Sequence, residues 1–158
     1  YLHGSMYVTA HFHYTLMGAA LTGAVAGLVY WFPKMTGRMM NEKGSLVSFL
    51  LVQGGFQILY LGMFIAGAQG QPRRVAAFAQ DYSLSNMIST GGAYLIGVGF
   101  IVLLWAVVHS WRHGDIAPMN PWGAKSLEWT VPYPVPLVNF DTPPVVTSDS
   151  YGFGRSEK

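Results

Sequence analysis

Cysteine is absent from this 158-residue chain, and charged side chains make up only 10% of it. Without a thiol there can be no disulfide, no iron–sulfur cluster, no c-type haem attachment and no thiolate haem ligand. Any redox cofactor therefore has to be held by histidine or methionine. The formal net charge of +2 is spread over loops and tail with no basic block, so nothing points to nucleic acid as a partner. No phosphate-cradling loop, internal repeat or nucleophile–base pairing is legible. The first residue is Tyr1, with no initiator methionine and no basic leader ahead of an apolar core. On that basis we read no signal peptide, and expect a fragment or one piece of a larger subunit.

What is present is apolar. Hydrophobic residues make up 51% of the chain, with 19 glycines, eight methionines and 15% aromatics, a composition poorly suited to a soluble surface. Three stretches, 6–32, 46–68 and 86–111, are free of Lys, Arg, Asp and Glu. Each is long enough for the roughly 20 helical residues that cross a hydrocarbon core of about 30 Å. The expected fold class is an all-α membrane protein, with three transmembrane helices forming part of a larger bundle. The expected segments are 1–33 as a helix, 34–45 as a loop, 46–68 as a helix, 69–85 as a loop on the other face, 86–111 as a helix and 112–158 as an extended, Pro-rich tail.

His11 and His13 are the readily ionisable groups well inside a span, since His109 falls near an end. Intramembrane histidines are costly unless something binds them. A single one can be satisfied by a neighbouring carbonyl, but two flanked by Phe12 and Tyr14 ask for more. At about 100° per residue they project roughly 200° apart, so they cannot share a metal as an i, i+4 pair can. Two imidazoles on opposite faces imply two partners, one on each side.

Loop charges orient the chain. Lys34, Arg38 and Lys43 in the first loop, with Arg112 and Lys125 after the third span, place those segments on the cytoplasmic side. Tyr30-Trp31-Phe32 then reads as an aromatic anchor at that interface, with Pro33 ending the helix. Arg73 and Arg74 fall on the opposite side, toward His11 and His13, and paired guanidinium groups suit carboxylates such as haem propionates. The glycines of the spans are read mainly as packing contacts, and Gln53 and Gln57, four apart, as hydrogen-bonding groups within the bundle. Residues 114–144 should run extended over a partner surface, and 145–158 should be poorly ordered.

Several of these segments together resemble one family. Leu2-His3, Tyr7-Val8-Thr9-Ala10-His11-Phe12-His13-Tyr14 and Trp31-Phe32-Pro33 are similar to the tenth helix of subunit I of the haem–copper oxidases. Gln71-Pro72-Arg73-Arg74, the third span as a twelfth helix, Asn120-Pro121-Trp122-Gly123 and Leu127-Glu128-Trp129 extend the resemblance over nearly the whole chain. It implies that His11 is the proximal ligand of the high-spin haem at the oxygen-reducing centre. It implies likewise that His13 is an axial ligand of the low-spin haem, that Arg73 and Arg74 bind haem propionates, and that His3 lies near a magnesium site. Two departures stand out. Gly4 occupies the place of the family's usual Asp, which takes a carboxylate away from that magnesium site, and residues 60–64 lack the Pro-Gln-His of many relatives, as in a divergent bacterial branch.

The resemblance implies the C-terminal part of the catalytic subunit of a cytochrome c oxidase-type enzyme, which reduces oxygen to water and pumps protons across a bacterial cytoplasmic membrane. The implied cofactors are two haems, of the haem A type, and copper whose ligands lie outside this chain. The implied partners are the rest of subunit I, subunits II and III, membrane lipid, and cytochrome c or quinol as electron donor. Two other readings stay open: a bis-histidine cytochrome carrying electrons from quinol without oxygen chemistry, and a noncatalytic membrane scaffold.

Overall fold

A computed structural model describes residues 2–145. Among them, three helical rods are long and apolar enough to cross a membrane, Met6–Thr36, Glu42–Ala68 and Gln80–His113, and no strand is formed. The first rod begins as α1, Met6–Leu16, where the Ser5 side chain accepts the Tyr7 N–H at 3.2 Å and caps the helix. A π-helical turn, Met17–Leu21, interrupts the rod before α2, Thr22–Thr36. The small residues Gly18-Ala19-Ala20 accept the wider turn, and Thr22 bonds back to the Gly18 carbonyl. Such a turn accommodates an extra residue, so the face of α2 is rotated relative to that of α1.

Pro33 does not end the rod. It is buried inside α2, which continues to Thr36 and stops at Gly37 in the left-handed conformation, φ 70°. A proline lacks only its own N–H, and near a C-terminus the last turn can still form: Gly37 N–H donates to the Pro33 carbonyl at 2.8 Å. The aromatic anchor is also divided, because Phe32 belongs to the core at 2% exposure while Trp31 is exposed.

Helix α3, Glu42–Ala68, starts at Asn41, whose side chain accepts the Gly44 N–H at 2.7 Å, and Glu42 sits favourably in the first turn. Helix α4, Ser83–His113, comes after a 3₁₀ turn at Gln80–Tyr82. Its buried residues are Ser85, Ser89, Gly92, Ile96, Gly99, Leu103, Ala106 and Ser110, alternating steps of four and three. That is a heptad seam made largely of small side chains, and it meets Gly44, Ser48, Gly55 and Gly62 of α3. In lipid there is no hydrophobic force between helices, so small residues that let backbones touch supply the attraction. Ser48 adds a hydrogen bond to the Gly99 carbonyl at 2.8 Å. Helix α1 lies against α3 through Ala10, Tyr60 and Phe56, but the first rod as a whole is the least covered, with 6% of its apolar window buried against 28% for each of the others.

The tail returns to its own chain. Met39 N–H donates to the Asp115 carbonyl at 2.8 Å, and Ala117 N–H to that of Gly37 at 2.9 Å. Trp122 Nε1 donates to the Tyr30 carbonyl at 2.9 Å, Trp129 Nε1 to the Tyr30 hydroxyl at 2.8 Å, and Lys34 to the Val131 carbonyl. Up to Val131 the segment expected to cover a partner therefore packs on α2, because two indole N–H groups need acceptors and Tyr30 offers both. The expectation of poor order at the end of the chain concerns residues 146–158, outside the described residues, apart from Val145.

This anchoring gives a first prediction. Trp129 is 1% exposed. Trp129→Ala should cost about 3–5 kcal/mol, as for other buried aromatics, whereas Tyr30→Phe, which strands one indole N–H, should cost about 1–3 kcal/mol. Limited proteolysis of the membrane-embedded protein should cleave the 114–145 segment fastest in Trp129→Ala and at an intermediate rate in Tyr30→Phe. Equal rates in all three proteins would contradict the anchoring.

Candidate functional site

Regular α-helix from Met6 to Leu16 keeps the two-residue offset of His11 and His13, and the surroundings of the two rings differ accordingly. His13 is half-buried at the edge of the α1–α3 contact. Its Nδ1 lies 2.9 Å from the Thr9 carbonyl oxygen, one turn back. A carbonyl can only accept, so Nδ1 carries the proton and donates, and the lone pair of Nε2 stays free for a ligand bond. The ring lies beside Phe12, with centroids 4.2 Å apart, and nearly parallel to Tyr60 at 6.2 Å and 18°. His11 is exposed on the other side, with no hydrogen bond to its ring among the described residues; its carbonyl accepts from the Thr15 hydroxyl at 2.9 Å. The helix thus presents two separate single-nitrogen donors. Among the described residues, no three His, Asp or Glu side chains come together as a metal cage.

The helix holding these donors is pinned to α3. Tyr14 donates to Gln57 Oε1 at 2.9 Å and Tyr60 to the Met17 sulfur at 3.0 Å, within a cluster of Tyr14, Phe56, Tyr60 and Phe64 rings. Gln57 behaves as expected from the sequence. Gln53 does not: among the described residues it makes no side-chain hydrogen bond, and it lines an apolar groove of about 780 Å³ between α2, α3 and α4 together with Val25, Phe49, Val52 and Phe100.

At the end of the rods nearest His11 and His13, the N-terminal turn is stitched to the loop after α3. Met6 N–H donates to the Gln71 carbonyl at 2.9 Å, Arg73 N–H to that of Gly4 at 3.0 Å, and Ser5 bridges to Pro72. This brings His3, His11, His13, Arg73 and Arg74 to one end of the molecule. Gln71, 3% exposed, ties the same loop to α4, accepting from Asn86 Nδ2 at 3.0 Å. Neither Asn86 nor Ser5 stood out in the sequence; a lone amide at the edge of an apolar span is the signal that could have marked Asn86.

Arg74 holds a left-handed backbone, φ 64°, uncommon for a residue other than glycine and of a kind found where a loop is shaped for use. Neither the Arg73 nor the Arg74 guanidinium has an ion pair or hydrogen bond among the described residues. His3 lies in an exposed turn, and its neighbour Gly4, at φ 86°, takes a conformation that glycine adopts most easily.

A family model described as "Cytochrome C and Quinol oxidase polypeptide I" matches residues 1–95. Among curated proteins, the chain is similar to the cytochrome c oxidase subunit 1 of Thermostichus vulcanus, 40% identical over 154 residues that make up 98% of this chain and 28% of that protein. It is also similar to those of Corynebacterium glutamicum, 39% identical over 157 residues (97% and 27%), and Synechocystis, 36% identical over 154 residues (98% and 28%). The chain thus spans little more than a quarter of the length of these relatives.

Proposed function

Because the chain belongs to the cytochrome c and quinol oxidase polypeptide I family, we propose that it forms the C-terminal three-helix part of the catalytic subunit of a terminal oxidase, in which His11 and His13 hold two different haems. The observation that carries this reading is the pair of opposed imidazoles on one helix, with the Nδ1 of His13 engaged by Thr9 and its Nε2 left free. His11 would hold the high-spin haem, where oxygen is reduced, and His13 the low-spin haem. Arg73 and Arg74 suit the propionates by charge and by their planar donors. His3 lies in the region of the magnesium site, which Gly4 leaves short of a carboxylate. When bound, the haems, of the haem A type, supply one-electron chemistry that with copper reduces oxygen to water, coupled to proton pumping.

The chain's own part is positioning. The Thr9 carbonyl sets the tautomer of His13 and orients its ring. A rigid helix fixes the spacing of the two donors, and the Tyr14–Gln57 bond holds that helix on α3. Copper ligands, the remaining haem ligand and the proton-channel residues come from other parts of subunit I, which pack on the uncovered face of the first rod. Subunits II and III and an electron donor, cytochrome c or quinol, complete the complex. The chain lies in a bacterial cytoplasmic membrane, with the Arg73 end outward and the loop carrying Lys34, Arg38 and Lys43 toward the cytoplasm.

Reduced-minus-oxidised difference spectra of the purified complex, with and without carbon monoxide, test this. We expect two haems per chain, one of which binds carbon monoxide. Two haems that both refuse it would replace this reading with a bis-histidine cytochrome, and a complex without haem would leave a scaffold.

A further inference from the structure

A second pair of histidines stands at the opposite end of the bundle, and its spacing has the opposite consequence. His109 and His113 are four residues apart in the last turns of α4, so they share a face. Their ring centroids are 5.2 Å apart with planes inclined by 29°, and Trp105 stacks on His109 at 5.1 Å and 15°, restricting that ring. Both histidines line a cavity of about 410 Å³ where the start of α3 meets the end of α4. Glu42 and Asp115 line it too, and no lysine or arginine does.

We propose that His109 and His113 form a binding site for a divalent transition metal ion of the zinc or copper(II) class, apart from the haem-ligand helix. Two imidazoles on one helical face supply borderline nitrogen ligands, in the i, i+4 arrangement that lets two histidines share a metal. The cavity has room for the ion and for waters, each taking about 30 Å³, that complete its coordination. Glu42 and Asp115 place negative charge around it and are within the same cavity for water-mediated contacts. With two protein ligands the site binds and releases its ion readily, and copper(II) binds more tightly than zinc, as the order of divalent affinities requires.

The test uses the purified complex containing this chain, freed of loosely held metal with a chelator and then titrated with copper(II) alone. The signal is the difference in electron paramagnetic resonance before and after addition, with zinc titrated calorimetrically in parallel. We expect one added copper per chain with coupling to two nitrogens. His113 is exposed, so His113→Ala leaves the fold intact; it should lose one nitrogen coupling and at least about tenfold in affinity, since even groups that only hydrogen-bond to a metal's ligands are worth about 10- to 100-fold. His109→Gln should do the same, with gel filtration showing an assembled complex. An added-copper signal and zinc affinity unchanged in both variants would overturn the proposal.

Discussion

Replacing His13 by alanine should remove the low-spin haem band from the assembled complex while leaving carbon monoxide binding in place, and His11→Ala should do the reverse. The asymmetry comes from helical geometry. Regular α-helix through Leu16 holds the two rings about 200° apart, so neither imidazole can stand in for the other. Among the described residues, His3 lies in the turn before α1, and His109 and His113 lie at the far end of the bundle, so no other histidine is placed to rescue either ligand. Removing a ligand nitrogen, rather than weakening it, makes the expected loss of each band essentially complete. His13→Ala also frees the Thr9 carbonyl from its side-chain bond without removing any helix hydrogen bond, so α1 should stay formed. Persistence of both haem bands and of carbon monoxide binding in both variants would sink the assignment.

The second large effect concerns neighbouring glycines that look alike in sequence. A methyl group on Gly55 would lie 2.7 Å from the Gly92 carbonyl oxygen and 2.8 Å from the Ile96 nitrogen, and one on Gly92 would lie 2.7 Å from the Gly55 oxygen and 2.8 Å from the Leu59 Cα. These obstacles are backbone, so α3 and α4 would have to separate along their whole seam. Gly54 and Gly91, one residue away, face open space. Gly55→Ala and Gly92→Ala should each cost about 1–3 kcal/mol, the usual range for overpacking. Gly54→Ala and Gly91→Ala should be neutral or stabilising by up to about 1 kcal/mol, because alanine is the better helix former. Thermal unfolding of the purified complex, followed by helical circular dichroism, separates the pairs. Equal midpoints for the four variants would mean that the seam is not where the structure puts it.

Legibility in the sequence divided along physical lines. Spans were legible because membrane thickness imposes a length and a composition on any helix that crosses. The opposed histidines were legible because a period of 3.6 residues converts spacing directly into direction. The resemblance to the oxidase family rested on short motifs at the two ends of these helices, and the family match agrees with it. Pro33 misled because the effect of a proline depends on its place in the helix. Its own N–H is lost, but the Gly37 N–H still closes the last turn on the Pro33 carbonyl, so α2 runs on to Thr36. The tail was less legible because a proline-rich segment has no pattern that says which surface it meets; up to Trp129, Tyr30 and its two indole partners decided that.

By itself, then, the sequence determined how many helices are long and apolar enough to cross a membrane, that His11 and His13 point to opposite sides of one helix, and to which family the chain belongs, since all of these depend on local periodicity, hydrophobic length or motif. Tertiary structure decided the rest: which glycine of each adjacent pair is packed, where the π-turn re-aims α2, that the Gly4 turn is joined to Arg73, and that His13 keeps Nε2 free. Each of these depends on where a second segment of chain, or a particular side-chain rotamer, comes to lie, and a one-dimensional pattern carries no record of either. The two histidines share a helix by sequence, but one became half-buried while the other stayed exposed because α3 packs against one side of that helix.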